Sequence, residues 1–119
     1  LAAACEAMAL GIRLGLAPQT ICDVVGASSG ASWIFADRMP RVLAGDYAPR
    51  AALDVLAKDL SILLEAARGA RFPVPIAAAA HQVYVTAQAA GLGRADDAAL
   101  VKLYQALTGI ALPGGGGGG

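Results

Sequence analysis

The chain has no excess of either charge: nine basic residues balance nine acidic ones over 119 residues. A surface that binds nucleic acid needs clustered Lys and Arg to neutralise phosphates, and no such cluster is present. Histidine occurs once, at His81. With no second histidine or carboxylate pair beside it, His81 reads as a half-exposed or satisfied helix residue, neither a metal ligand nor a general base. No Ser-His-Asp or Cys-His arrangement is supported either. Cys5 and Cys22 are the only cysteines. They sit in apolar helical settings without metal-ligand spacing, and read as free core thiols of a reducing compartment. Long apolar runs are missing too. Stretches such as residues 7–12 and 73–80 fall short of the ~20 residues a membrane-spanning helix needs. No signal peptide is visible. These absences lead us to expect a cytoplasmic protein with neither nucleic acid nor membrane as partner.

What is abundant is small and apolar. Hydrophobic residues make up 57% of the chain, against a usual ~45–50%, and the excess is largely alanine, which lets helices pack closely. The length fits one domain. Both ends look unlike a natural domain. Leu1-Ala2-Ala3-Ala4 offers no Ser, Thr, Asp or Asn cap, which suggests a helix entered part-way. Gly114 to Gly119 form a glycine tail that we set aside as a linker or artefact.

Periodicity predicts six helices and no strand. The first spans residues 1–14 and ends at Gly15. It is apolar almost all round, with only Glu6 and Arg13 charged, so it should be buried and want a second partner surface. The second spans 18–25, opened by Pro18 and stopped by Gly26. Ser32 caps a third, 33–43, in which Pro40 interrupts regularity. The fourth, 50–70, carries the stripe Leu53, Leu56, Leu60, Leu63 and Ala67, with Asp54 and Lys58 four apart in the favourable acid-first order. The fifth, 76–90, aligns Ile76, Ala80, Val83, Tyr84 and Ala87. Asp96 or Asp97 caps a sixth, 98–107, with the stripe Leu100, Val101, Leu103, Tyr104 and Leu107. Short loops make consecutive helices neighbours in an all-α bundle.

Few residues carry candidate chemistry. Lys58, flanked by Asp54 and Asp59 in an alanine- and leucine-rich helix, could present its ammonium to an anion or a cofactor amide; the plainer reading is a solvated lysine paired with Asp54. The small-residue run 26–32 does not follow a strand and lacks both GxGxxG and a Walker lysine, so it reads as a helix connection, not a phosphate cradle. Trp33 and Phe35 suit core or interface anchors. Arg38 and Arg41, with Asp37, read as a solvated face.

From Ser32 through Leu60, the run "SWIFADRMPRVLAGDYAPRAALDVLAKDL" resembles the second domain of the β-hydroxyacid dehydrogenases, a family that includes 3-hydroxyisobutyrate dehydrogenase. The segments "GDYAP" at Gly45–Pro49, "KDL" at Lys58–Leu60 and "GLGRADDAALVKLY" from Gly91 carry it. The ending "TGIALP" and the Ala51-Ala52 pair look closest to the L-threonate dehydrogenase branch, although many relatives carry Phe where this chain has Ala51.

The resemblance covers residues 1–113. It implies the helical C-terminal domain of a 6-phosphogluconate dehydrogenase-like enzyme: an NAD-binding and dimerisation domain, truncated at its N-terminal side. NAD or NADP would be bound mainly by a separate Rossmann domain with a glycine-rich turn. The substrate would be a small hydroxy acid such as L-threonate or 3-hydroxyisobutyrate, and the enzyme a homo-oligomer. The family's "KDL" lysine, which closes over the nicotinamide end of the cofactor, maps onto Lys58, with Asp59 supporting it. The family's catalytic lysine lies upstream, and no lysine precedes Lys58 here. No catalytic residue is therefore assigned to this chain, and it is expected to be inactive alone. The alternative is a non-catalytic helical association module, motivated by the apolar first helix.

Overall fold

The computed structural model describes residues 1–114. Six helices follow in order: α1 Ala2–Arg13, α2 Pro18–Gly26, α3 Trp33–Ala44, α4 Leu53–Ala70, α5 Pro75–Ala89 and α6 Val101–Thr108. A 3-10 turn, Asp97–Leu100, leads into α6. No named strand occurs among the described residues; the only ladder contact is one antiparallel bridge between Ala52 and Asp96. The all-α bundle expected from periodicity is what forms. Of the glycine tail only Gly114 is described; residues 115–119 lie outside the described residues.

Local chemistry sets most boundaries. Ser32 is extended, and its Oγ accepts from the Phe35 N–H at 3.0 Å, satisfying an orphan donor of α3. Gly45 closes α3 in the left-handed region at φ 66°, a conformation that costs glycine little. Pro40 removes the N–H that would bond the Ala36 carbonyl, yet α3 runs through it unbroken.

The fourth helix departs from expectation at its start. It begins at Leu53, not near Arg50. Residues 51 and 52 instead lie alongside 95–97: Asp97 N–H donates to the Ala51 carbonyl at 2.8 Å, and Leu53 N–H to that of Ala95 at 2.9 Å. Those long-range bonds, invisible to periodicity, hold the segment extended.

The core gathers around α1. Cys5 and Met8 are fully buried among Met39, Val42, Leu53, Leu100 and Val101. α1 packs on α2, α5, α6 and the 3-10 turn. Burying each such side chain contributes roughly 1.5–3 kcal/mol. Burial then fades along the α4–α5 hairpin. Leu53 and Ala57 of α4 meet Tyr84 and Ala87 of α5 in the core. Further out, Leu63 is 43% and Ile76 84% exposed on the same stripes. The hairpin's distal half therefore packs chiefly against itself.

Candidate functional site

Lys58 stands on the exposed side of α4, with 62% of its side chain accessible. Its ammonium pairs with Asp59 Oδ1 at 3.1 Å, so the expected pairing with Asp54 does not form. Asp54 is engaged elsewhere: its carboxylate accepts from Gln88 Nε2 of α5 at 2.7 Å, and its own N–H donates to the Gly93 carbonyl at 2.9 Å. Two carboxylates thus flank Lys58 in sequence, and the fold leaves it one. An exposed pair of this kind contributes little to stability. Its ammonium keeps donors free for an outside acceptor.

Asp59 also lines an apolar groove of about 430 Å³, together with Leu1, Ile34, Leu56, Leu60 and Tyr84. The groove runs between the start of α1, the start of α3 and the α4–α5 pair. A larger groove of about 570 Å³ lies between α2 and α3, lined by Cys22, Asp23, Phe35 and Met39; neither Lys58 nor Asp59 lines it. Trp33 begins α3 and is 73% exposed, whereas Phe35 is buried in the core. One of the two aromatics is therefore an anchor of the core and the other projects outward.

Arg38 and Arg41 are not a solvated face. Their side chains are only 13% and 14% exposed. Arg38 forks onto the buried Asp97 through Nε, at 2.8 and 3.0 Å to the two oxygens, and Nη2 at 2.8 Å. It also pairs with Asp37 and lies 5.7 Å from the centroid of the Trp33 ring, within cation–π range. Arg41 bridges Asp37 at 2.9 Å and the fully buried Asp96 at 3.2 Å. Asp96 accepts in addition from the N–H groups of Arg50 at 2.9 Å, Ala51 at 3.2 Å and Ala98 at 3.1 Å. Burial acts to raise its pKa, but these backbone donors and Arg41 outweigh it and hold the carboxyl below the usual range. Arg38 stays firmly charged: its hydrogen bond to Asp97 outweighs burial, with Asp37 adding to the effect.

Sequence reasoning saw only a helix cap at Asp96 or Asp97. Asp96 is that cap. The signal for the rest was the adjacent acid: one carboxylate suffices for a cap, so a second at a buried helix start needs a cation.

His81 Nε2 lies 3.0 Å from Ser61 Oγ, between α5 and α4, and is half-buried, as its isolation suggested. Cys5 and Cys22 are both free. Among the described residues, no group of three or more His, Cys, Asp and Glu is placed to hold a metal ion, and no helix is long and apolar enough to cross a membrane.

Residues 1–104 match the family model described as the NAD-binding domain of NADP-dependent 3-hydroxyisobutyrate dehydrogenase. The chain belongs to the β-hydroxyacid dehydrogenase family. L-Threonate dehydrogenase of Cupriavidus necator is 48% identical over 114 residues, covering 96% of this chain and 37% of that protein. The Escherichia coli K12 enzyme of the same name is 41% identical, with the same coverage. The crystal structure of 3-hydroxyisobutyrate dehydrogenase from Salmonella typhimurium superposes with a TM-score of 0.83 at 44% identity, over 86% of this chain and 36% of that one. The chain thus spans a little over a third of the length of these relatives. β-Hydroxyacid dehydrogenases use NAD or NADP, as the matched model's description records. The helical bundle found here is the architecture of the corresponding part of the Salmonella enzyme.

Proposed function

We propose that residues 1–113 act as the C-terminal, cofactor-covering and dimer-forming domain of an NAD(P)-dependent dehydrogenase of small hydroxy acids such as L-threonate or 3-hydroxyisobutyrate. The observation that carries this reading is Lys58. On a chain of this family, it presents an exposed ammonium, engaged by Asp59, on the helix whose "KDL" motif the resemblance assigns to the cofactor.

The residues present fit the role of covering a dinucleotide rather than holding one. Lys58 supplies a charged donor with free N–H groups, suited to a carboxamide or phosphate oxygen. No strand among the described residues ends in a glycine-rich turn that could cradle a pyrophosphate. When bound, the nicotinamide ring supplies the acceptor for a hydride from the hydroxyl-bearing carbon. Lys58 binds and orients, and Asp59 limits the directions its ammonium takes. Proton transfer at the substrate hydroxyl falls to a group outside this chain, so the chain alone turns over no substrate.

Lys58→Ala in the complete enzyme tests the assignment. The expected result is a raised KM for the cofactor or a lowered kcat with an unchanged fold; unchanged kinetics would return Lys58 to an ordinary solvated lysine. Oxidation of L-threonate with NAD by residues 1–119 alone would refute the division of labour.

A second reading, a helical association module without catalytic part, is favoured by the apolar surface along α1, its C-cap Leu14 and α6, where Leu10, Leu14 and Leu107 are 58%, 70% and 66% exposed. In both readings a second copy of the chain covers this face. Sedimentation tests that part: a strictly monomeric, folded chain at high concentration removes it.

A further inference from the structure

We propose that Asp96, and the loop 93–97 that carries it, are positioning elements for Lys58. This inference rests on the cofactor role of Lys58 given above.

α4 starts without a capping side chain, because Ala52 occupies the cap position. The first donors of a helix need partners, and here a distant loop provides them. Leu53 N–H donates to the Ala95 carbonyl, and Asp54 N–H to the Gly93 carbonyl, both at 2.9 Å. The loop is thus the cap of α4. Gly93 fits closely: a Cβ there would press into the Asp54 carboxylate, 2.9 Å from Oδ2.

Asp96 fixes this loop against the rest of the domain. Its Oδ1 accepts from Arg50 and Ala51, just before α4; its Oδ2 accepts from Arg41 of α3 and from Ala98, in the turn into α6. One fully buried carboxylate therefore joins three segments at the base of α4. Lys58 lies five residues beyond Leu53, roughly 7.5 Å along the helix axis. A hydrogen-bonded helix moves as a unit over that distance, so a tilt or slip at the base displaces the ammonium. Lys58 itself is exposed and paired only with its sequence neighbour among the described residues. Its placement relative to the bundle is consequently set by how α4 is seated.

The test is a double-mutant cycle in the complete dehydrogenase, reading the Kd for NADH by fluorescence titration, with circular dichroism as a check on folding. Lys58→Ala is expected to weaken NADH about tenfold, the loss of one charge-assisted contact. Asp96→Asn is expected to weaken it about threefold to tenfold when Lys58 is present, and to add almost nothing in the Lys58→Ala background. Asp96→Glu retains the charge and lengthens the arm that seats the loop, so it should show the same dependence on Lys58, even if Asp96→Asn folds poorly. Equal factors in both backgrounds would overturn the positioning role while leaving Lys58 as a cofactor contact. An unchanged Kd in Lys58→Ala would instead remove the contact itself, and the positioning role with it.

Discussion

Replacing Arg38 by Met should destabilise the domain far more than an arginine on a helix surface would. The guanidinium reaches Asp97 through three contacts of 2.8 to 3.0 Å, and Asp97 is 1% exposed. Removing the cation strands a carboxylate that water cannot reach. Breaking a buried pair in this way costs about 3–5 kcal/mol. Total stability of a small domain is about 5–15 kcal/mol, so the loss consumes a large part of it. For a chain of this size, each kcal/mol moves the midpoint by roughly 4 °C, which places the expected fall in Tm at about 12–20 °C. Far-ultraviolet circular dichroism through a thermal and a urea transition reads it directly, since the fold is all helical. The double change Arg38→Met with Asp97→Leu removes both charges and should recover most of the loss, because the unpaired ion, not the missing bond, dominates the cost. Trp33, the only tryptophan, gives a local probe: its ring lies against the Arg38 guanidinium, so its emission should shift in the single variant. A loss below about 1 kcal/mol in Arg38→Met, or a double variant no more stable than the single one, would refute the reasoning.

Three further outcomes follow from particular contacts. Ser32→Ala removes the side-chain acceptor for Phe35 N–H and should cost about 1 kcal/mol, seen as a lower urea midpoint with unchanged slope. Gly11→Ala should destabilise despite the better helix propensity of alanine: a Cβ there collides with Cδ1 of Ile21 and lies 3.0 Å from its Cγ1, an overpacking cost of about 1–3 kcal/mol against a propensity gain of about 1. The thiol of Cys5 is pushed by burial from 9.0 to about 12. The folded state thus favours the protonated thiol: its stabilisation is complete below pH 9 and is lost as pH rises from there toward 12. Cys5→Ala should flatten that alkaline loss in a series of urea midpoints, and an unchanged profile would exclude the thiol as its source.

Much of the bundle was readable before any coordinates. Proline at 18, serine at 32 and glycines at 15, 45 and 91 mark ends that the structure keeps within a residue or two, because capping is a local transaction between a side chain or a left-handed turn and the nearest orphan groups. The stripes on α4, α5 and α6 turn inward only in part: Leu53, Tyr84, Ala87 and Leu103 are buried, whereas Leu63, Ile76 and Leu107 stay exposed. Lys58 was readable only through the family's "KDL" motif; periodicity alone marked it as a solvated residue.

What the sequence by itself determined is therefore the class of the fold, the number of helices and most of their ends: all depend on interactions within a few residues. The tertiary structure decided what distant residues do to one another. It drew Asp96 and Asp97 against arginines 55 and 59 positions earlier, shortened α4 by seating its start on residues 93–97, and took Asp54 from Lys58 by offering it Gln88. It also decided how deep each apolar stripe is buried, from Leu53 at 0% to Ile76 at 84%. A helical pattern specifies which face is apolar, but only the packing of other helices determines how far along that face water is excluded.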